Sequence, residues 1–186
     1  MGAPLTLQVR GDLLALARRA IRVYLTEGRR LQRGRDFAPL APEARGAFVT
    51  LKTPQGELRG CIGMILASAP LDETVARMAV AAAVEDPRFA PVASGELDGL
   101  RIEISALTLP APVTDLSAIE VGRHGLIVSR GSRRGLLLPQ VAPEWGWGRE
   151  EFLDHTCLKA GLPAGSWREP ETRVEWFEAE VWSEPE

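Results

Sequence analysis

Cys61 is the side chain in this sequence with the clearest chemical reactivity. It lies in the hexapeptide Leu58-Arg-Gly-Cys-Ile-Gly63, in which Gly60 and Gly63 leave the backbone amides bare and permit unusual dihedral angles. The cation of Arg59 would favour the thiolate or hold an anionic ligand. This pattern is typical of a nucleophile or an anion-binding turn. The alternative is a buried strand cysteine whose glycines serve close packing.

His124, Asp86 and Arg88 are the groups that could act with this thiol. A thiol nucleophile needs a base, and His124, between the glycines of residues 122–125, is the remaining imidazole for that task. It is alternatively a turn histidine that bonds locally, and the sequence leaves its contact with Cys61 open. Asp86 and Arg88 follow an apolar helix. They predict an acid/base group and an anion-binding group at a cleft or, equally, an ion pair with each other.

The region around the tryptophans supplies two more candidates. Gln140 and Trp147 belong to a polar and aromatic loop and are predicted to bind ligand, although large aromatic side chains are more often core. His155 and Cys157 are set aside, because side chains two positions apart on a helix point about 200° apart. We therefore expect Cys157 to be a small core residue and His155 to face solvent.

Composition excludes several classes of protein. The chain has 186 residues, of which 45% are hydrophobic and 25% charged, as in soluble globular proteins. Two cysteines and two histidines argue against multi-cysteine zinc sites and iron–sulfur clusters. Since dinucleotide and phosphate-loop motifs are also missing, the sequence predicts no metal and no cofactor.

Location and charge can also be predicted. No apolar run approaches the roughly 20 residues of a membrane span, and the first ten residues lack the layout of a secretory signal. Two widely separated cysteines suit a reducing compartment, so we expect a cytoplasmic protein without membrane contact.

Seven arginines fall within residues 18–35, which suggests either a nucleic-acid partner or a solvated helix face. Without interleaved aromatics the pattern argues against nucleic acid.

The elements that position these residues follow from apolar periodicity and turn residues. Asp12 is expected to cap a helix that ends at Gly28. A hairpin turning at Pro54-Gln-Gly56 is followed by a second helix. The two glycines in the returning strand of the hairpin predict a bulge or a place where another group approaches the backbone closely. Further predicted elements are helices over 71–84 and 149–160 and strands over 46–53, 57–65, 101–109, 126–129, 136–138 and 173–182. Helices alternating with hairpin strands indicate an α+β fold.

Several segments, taken together, carry a family resemblance. Besides the Cys61 hexapeptide they are Asp86-Pro-Arg-Phe89, Ile102-Glu-Ile-Ser105, Gly122-Arg-His-Gly125, Leu136-Leu-Leu-Pro-Gln-Val-Ala142, Gly146-Trp147, Glu151-Phe-Leu153, Lys159-Ala-Gly161 and Glu178-Ala-Glu-Val181. In this order they resemble the AMMECR domain family, the protein A component of the AmmeMemoRadiSam system. The resemblance covers nearly the whole chain, and the hexapeptide is its specific part.

The resemblance implies one AMMECR domain over residues 1–186, with a mostly antiparallel sheet, packed helices and two subdomains around a cleft near the hexapeptide. It also implies association with a Memo-like protein and a radical SAM enzyme. This chain contains no segment of either partner, so their metal chemistry is not expected of it.

The leading hypothesis is a cleft at the turn of residues 58–63 that binds a small anionic ligand or a chain terminus. In it, Arg59 and Arg88 hold the anion, and Cys61 acts as a thiolate. Asp86 or His124 would move protons, and the amides around the two glycines would stabilise an oxyanion. The alternative is a non-catalytic adaptor that docks onto Memo-like or radical SAM partners through the tryptophan loop. A third option is RNA binding through residues 18–35.

Overall fold

The structure, a computed structural model, describes residues 4–66 and 69–185. The fold is α+β, as predicted. The chain divides into two compact units: unit 1 comprises residues 1–107 and 180–186, and unit 2 comprises residues 108–179. No helix within the described residues is long and apolar enough to span a bilayer.

Unit 1 is a three-stranded sheet with two helices. Its elements are α1 (Leu7–Glu27), β1 (Ala47–Lys52), β2 (Leu58–Met64), α2 (Leu71–Val84) and β3 (Arg101–Leu107). β1 lies in the middle and pairs antiparallel with both β2 and β3, which makes β2 an edge strand. Side chains from both helices and from the buried face of the sheet form one hydrophobic core.

The first helix begins earlier than the sequence predicted. Its N-terminal residue is Leu7, and the hydroxyl of Thr6 accepts the Val9 amide at 3.3 Å as the helix cap. The prediction that Asp12 caps this helix was wrong, because a helix-favouring turn precedes it and Asp12 lies inside the helix. The end at Gly28 is confirmed; this glycine has a φ of 67° and closes the helix in the left-handed conformation.

The second helix has the predicted bounds and carries a buried charge. Asp72 in its first turn is fully buried and accepts hydrogen bonds from the guanidinium of Arg33 and from the amides of Leu40 and Ala41. A buried carboxylate needs such partners because its desolvation is costly. Asp72 therefore anchors the long loop before β1 onto α2.

Unit 2 contains further antiparallel strands and two helices. Its elements are β4 (Ala111–Pro112), β5 (His124–Arg130), β6 (Arg133–Leu137), α3 (Val141–Trp145), α4 (Arg149–Lys159) and, through residue 179, β7 (Arg173–Ser183). β7 pairs with β4 and β5, and β5 pairs with β6. The buried side of α4, formed by Phe152, Leu153 and Cys157, packs in the core of this unit.

Three boundaries in unit 2 differ from the predictions. His124 is the first residue of β5 and not part of the preceding turn, and β6 begins at Arg133 rather than at residue 136. The short helix α3 was predicted as loop because Pro143 and Trp145 dominate its sequence; its five residues are too few for a helical period to be visible.

Candidate functional site

Cys61 lies on the more exposed face of the unit 1 sheet. In β1 the side chains of Ala47, Val49 and Leu51 are fully buried, whereas the alternate residues are partly exposed. Cys61 stands directly opposite one of these, Thr50, and residues opposite each other in a sheet point to the same face. The thiol is therefore partly accessible. The strand predicted over residues 57–65 is confirmed, and the turn that the leading hypothesis places at residues 58–63 is wrong, because these residues belong to that strand.

The expected bulge is present in β2. Leu51 pairs with Gly60 and Lys52 with Leu58, so Arg59 is an extra residue in the strand. The hydroxyl of Thr50 donates to the Sγ atom of Cys61 at 3.2 Å. This contact fixes the position of the sulfur on the sheet surface.

Asp86 and Arg88 hold the backbone of Cys61 at the outer edge of β2. The Cys61 amide donates to Oδ2 of Asp86 at 2.8 Å, and its carbonyl accepts from Nη2 of Arg88 at 3.3 Å. The two side chains also form a two-pronged pair, Nε–Oδ1 at 2.9 Å and Nη2–Oδ2 at 2.7 Å. Because an edge strand has no further neighbour to satisfy these backbone groups, the pair takes the place of one. We call Asp86 and Arg88 the edge clamp.

The edge clamp keeps both of its members charged. Hydrogen bonds from Arg88 hold the pKa of Asp86 well below its usual range, despite the opposing effect of burial. The pKa of Arg88 is raised chiefly by its hydrogen bonds to Asp86 and further by the charge of that carboxylate. Asp86 therefore stays ionised at neutral pH, which suits an anchor better than the proton transfer suggested by the sequence.

Arg59 is engaged elsewhere. Its Nε and Nη2 atoms bind Glu96 at 2.5 and 3.1 Å, and its Nη1 donates to the Ala90 carbonyl at 3.0 Å. The side chain is only 17% exposed. These contacts tie residues 90–96 to β2, so the geometry gives Arg59 a structural task and leaves ligand contact to Arg88.

The two glycines of the hexapeptide serve close packing. A Cβ atom on Gly60 would lie 2.2 Å from the Ala82 carbonyl oxygen of α2, and one on Gly63 would lie 2.3 Å from the Phe48 ring. Since amides alternate between the two sides of an antiparallel strand, the Gly63 amide points to the same outer edge as that of Cys61. It is the one glycine amide of the pair suited to meet a ligand there.

His124 is held by local contacts in unit 2. Its Nδ1 accepts the Glu120 amide at 3.0 Å, its Nε2 lies 3.7 Å from Oε1 of Glu178, and its ring contacts Trp176 with centroids 4.5 Å apart. With Nδ1 as the acceptor, the neutral ring carries its proton on Nε2. Neither nitrogen then has a free lone pair, so this arrangement favours the locally bonded histidine over a general base.

The other predicted residues of unit 2 lie near α3 and α4. Gln140 is exposed at the start of α3. Trp147 stacks on His155 with ring centroids 3.7 Å apart, so the prediction that His155 simply faces solvent was wrong. Cys157 is fully buried, as expected, and burial raises the pKa of its thiol.

The arginine-rich segment mainly balances acidic residues of its own unit. Five of its seven arginines pair with carboxylates: Arg18 with Glu184, Arg22 with Asp98, Arg29 with Asp36, Arg30 with Glu85, and Arg33 with Asp72. This pairing lowers the positive potential that nucleic-acid binding requires.

Two further features bear on ligand binding. Unit 1 has a cavity of about 700 Å³ beside Thr53 and Gly56, lined also by Asp98 and Arg101; none of the predicted site residues lines it. Within residues 4–66 and 69–185, no three His, Cys, Asp or Glu side chains are grouped to hold a metal ion.

Sequence reasoning missed Thr50 and Glu96. The hairpin turn at Pro54 could have placed Thr50 opposite Cys61, because turn length sets the register of a hairpin. Glu96 lies 37 residues from Arg59, and nothing in the sequence relates the two.

Comparison with known proteins agrees with this architecture. The AMMECR1 family model matches residues 14–182. A Thermococcus gammatolerans protein is 49% identical over 92% of this chain and 88% of its own length, and one from Methanopyrus kandleri is 47% identical over 100% and 93%. The crystal structure of an uncharacterized protein from Pyrococcus horikoshii superposes with a TM-score of 0.82 at 45% identity, covering 95% of this chain and 92% of that one. The chain belongs to the AMMECR1 family.

Proposed function

We propose that the exposed face and outer edge of β2 form a binding site for a small anionic molecule or a chain terminus, with Cys61 as its reactive thiol. The observation that carries the proposal is the orientation of Arg88. Its Nε and Nη2 atoms are engaged by Asp86 and Cys61, while its Nη1 has no partner among the described residues and the side chain is 54% exposed. A guanidinium fixed on one side and open on the other is suited to bind a carboxylate or phosphate.

The covalent form of the proposal is a thiolate addition. The thiol proton leaves to solvent, and a sulfur lone pair of Cys61 forms a bond to an electrophilic carbonyl carbon of the ligand. The carbonyl π electrons move to its oxygen, which becomes an oxyanion. Arg88 and the Gly63 amide are the donors available at this edge to stabilise that charge. No oxidant or metal is needed for this step.

The proposal includes a cellular setting for the site. We place it in the cytoplasm, where a free thiol stays reduced, and in a pathway with Memo-like and radical SAM proteins. The adaptor alternative has those proteins as docking partners. The exposed ring of Trp145 favours a docking surface in unit 2.

The test is the selectivity of thiol labelling in the native protein. With N-ethylmaleimide we expect one label per chain, on partly exposed Cys61, because Cys157 is buried. Cys61→Ser should abolish native labelling, and Cys157→Ser should leave its rate unchanged; mass spectrometry of digests locates the label. Labelling only after denaturation, or at Cys157 at an equal rate, would refute a reactive thiol at this site.

A further inference from the structure

Three aromatic rings form a stacked column in unit 2. Trp147 lies flat on His155, with centroids 3.7 Å apart and planes 4° apart. Trp145 also stacks with Trp147, with ring centroids 5.9 Å apart and planes 17° apart. The column thus runs from a residue of α4 to the last residue of α3.

The backbone around the column holds its middle ring in place. The Trp147 amide donates to the Ala142 carbonyl at 2.9 Å. The next amide, that of Gly148, donates to Glu151 at 2.8 Å and so starts α4. Trp147 is therefore fixed between two helix ends and packs against the core of its unit.

The outer ring of the column is open to solvent. Trp145 is 70% exposed, although an indole is among the most favourable side chains to bury. Leu158, also exposed, lies three residues after His155 and so on the same side of α4. A rigid, exposed aromatic surface of this kind is typical of a binding site for another molecule.

The charge around the column favours a cationic occupant. Residues 144–155 contain four carboxylates and one guanidinium. Glu150 is paired with Arg168, whereas the exposed carboxylate of Glu144, next to Trp145, has no hydrogen bond or ion pair among the described residues. The face of an indole ring itself attracts cations. An anionic nucleotide would meet repulsion here.

We propose that the Trp145–Trp147–His155 column binds an arginine or lysine side chain of a partner polypeptide, with the cation over the free face of Trp145. Glu144 adds electrostatic attraction at the edge of the ring. The column consists of unit 2 residues, and the proposal does not depend on the thiol site of unit 1.

The experiment follows the indole N–H signals of the five tryptophans by two-dimensional NMR of the whole chain, with a hexa-arginine peptide as the probe. We expect saturable shifts of the Trp145 and Trp147 signals. Trp145→Ala should weaken binding about threefold to thirtyfold, the range of a cation–π contact, and Glu144→Gln by up to about fivefold. Unchanged signals from Trp167 and Trp176 show that the variants remain folded.

Two controls make the outcome decisive. Leu109→Ala removes an equally exposed side chain of unit 2, 74% exposed, and should bind hexa-arginine as the wild type does. Hexaglutamate and adenosine monophosphate should leave the Trp145 signal in place. Equal shifts with hexaglutamate, binding of the nucleotide but not of hexa-arginine, or full binding by Trp145→Ala would each overturn the proposal.

Discussion

Gly60→Ala is expected to lower the free energy of unfolding by about 3 kcal/mol. The new Cβ would stand 2.2 Å from the carbonyl oxygen of Ala82, which is backbone in the last turn of the buried helix α2. No side-chain rotation relieves this clash, so β2 must move away from the helix. Urea unfolding, with the midpoint and slope fitted separately, measures the loss.

Gly11→Ala is the matched control, because it makes the same chemical change in open space. Gly11 lies inside α1, and a Cβ there would meet nothing within 4 Å. Alanine is a better helix former than glycine by about 1 kcal/mol, so this variant should be more stable than wild type. Opposite signs for the two variants are the expected result. A harmless Gly60→Ala would contradict the close packing of β2 on α2.

Asp86→Asn is expected to lower the free energy of unfolding at pH 7 by about 2–3 kcal/mol, because a neutral amide replaces charge-assisted hydrogen bonds. The carboxylate is only 1% exposed, whereas Arg88 is 54% exposed and can be hydrated again. The loss should therefore stay below that of a fully buried pair. Urea unfolding over a series of pH values measures it.

The pH dependence of this effect has a definite sign. Arg88 holds the folded-state pKa of Asp86 below the ordinary value of 3.8. The resulting stability is fully present above that ordinary value and is lost as the pH falls toward the folded-state pKa. The difference between wild type and Asp86→Asn should thus be constant from about pH 7 to 5 and shrink below about pH 4.

Asp98→Asn serves as the comparison, since its exposed carboxylate pairs with Arg22 at the surface. Its cost should stay below about 0.5 kcal/mol. A gap between wild type and Asp86→Asn that widens in acid, or an Asp86→Asn variant as stable as wild type, would count against the edge clamp.

The local elements of unit 1 were largely predictable. The hairpin and both bounds of α2 follow from turn residues and from the proline before the helix. The start of α1 could not be predicted from the sequence, because Thr6 and Asp12 are both acceptable helix caps. Which of them caps the helix depends on the packing of the turn that precedes Asp12.

The sequence identified most residues of the candidate site, but it did not predict which of them contact each other. Cys61, Asp86 and Arg88 were singled out by residue type, and the structure brings these three together. Arg59 was expected to share the ligand, yet it pairs with Glu96. Which carboxylate an arginine binds depends on the path of the loop after α2, and residue spacing carries no information on that path.

Helix geometry correctly predicted that the Cys157 side of α4 is buried, but it did not predict what contacts the His155 side. Cys157 and His155 do differ as their spacing requires, since Cys157 is buried in the core. The opposite side is not simply solvated, because Trp147 lies flat on it. That contact comes from the chain before the helix, which a helical period does not describe.

In the proposed site, Arg88 directs anions to the thiol of Cys61. This role of Arg88 is tested by comparing the rates at which anionic iodoacetate and neutral iodoacetamide alkylate Cys61. In Arg88→Gln the ratio of the two rates should fall about fivefold, since a unit charge about 4 Å away contributes about 1 kcal/mol in water. Arg22→Gln, an equal change of charge on the surface of α1, should leave the ratio unchanged.

A double variant, Arg88→Gln with Asp86→Asn, separates the guanidinium from the net charge, because the replaced pair is neutral as in wild type. We expect the ratio of the two rates to stay low in this double variant. A wild-type ratio in Arg88→Gln, or its full return in the double variant, would contradict anion binding by Arg88.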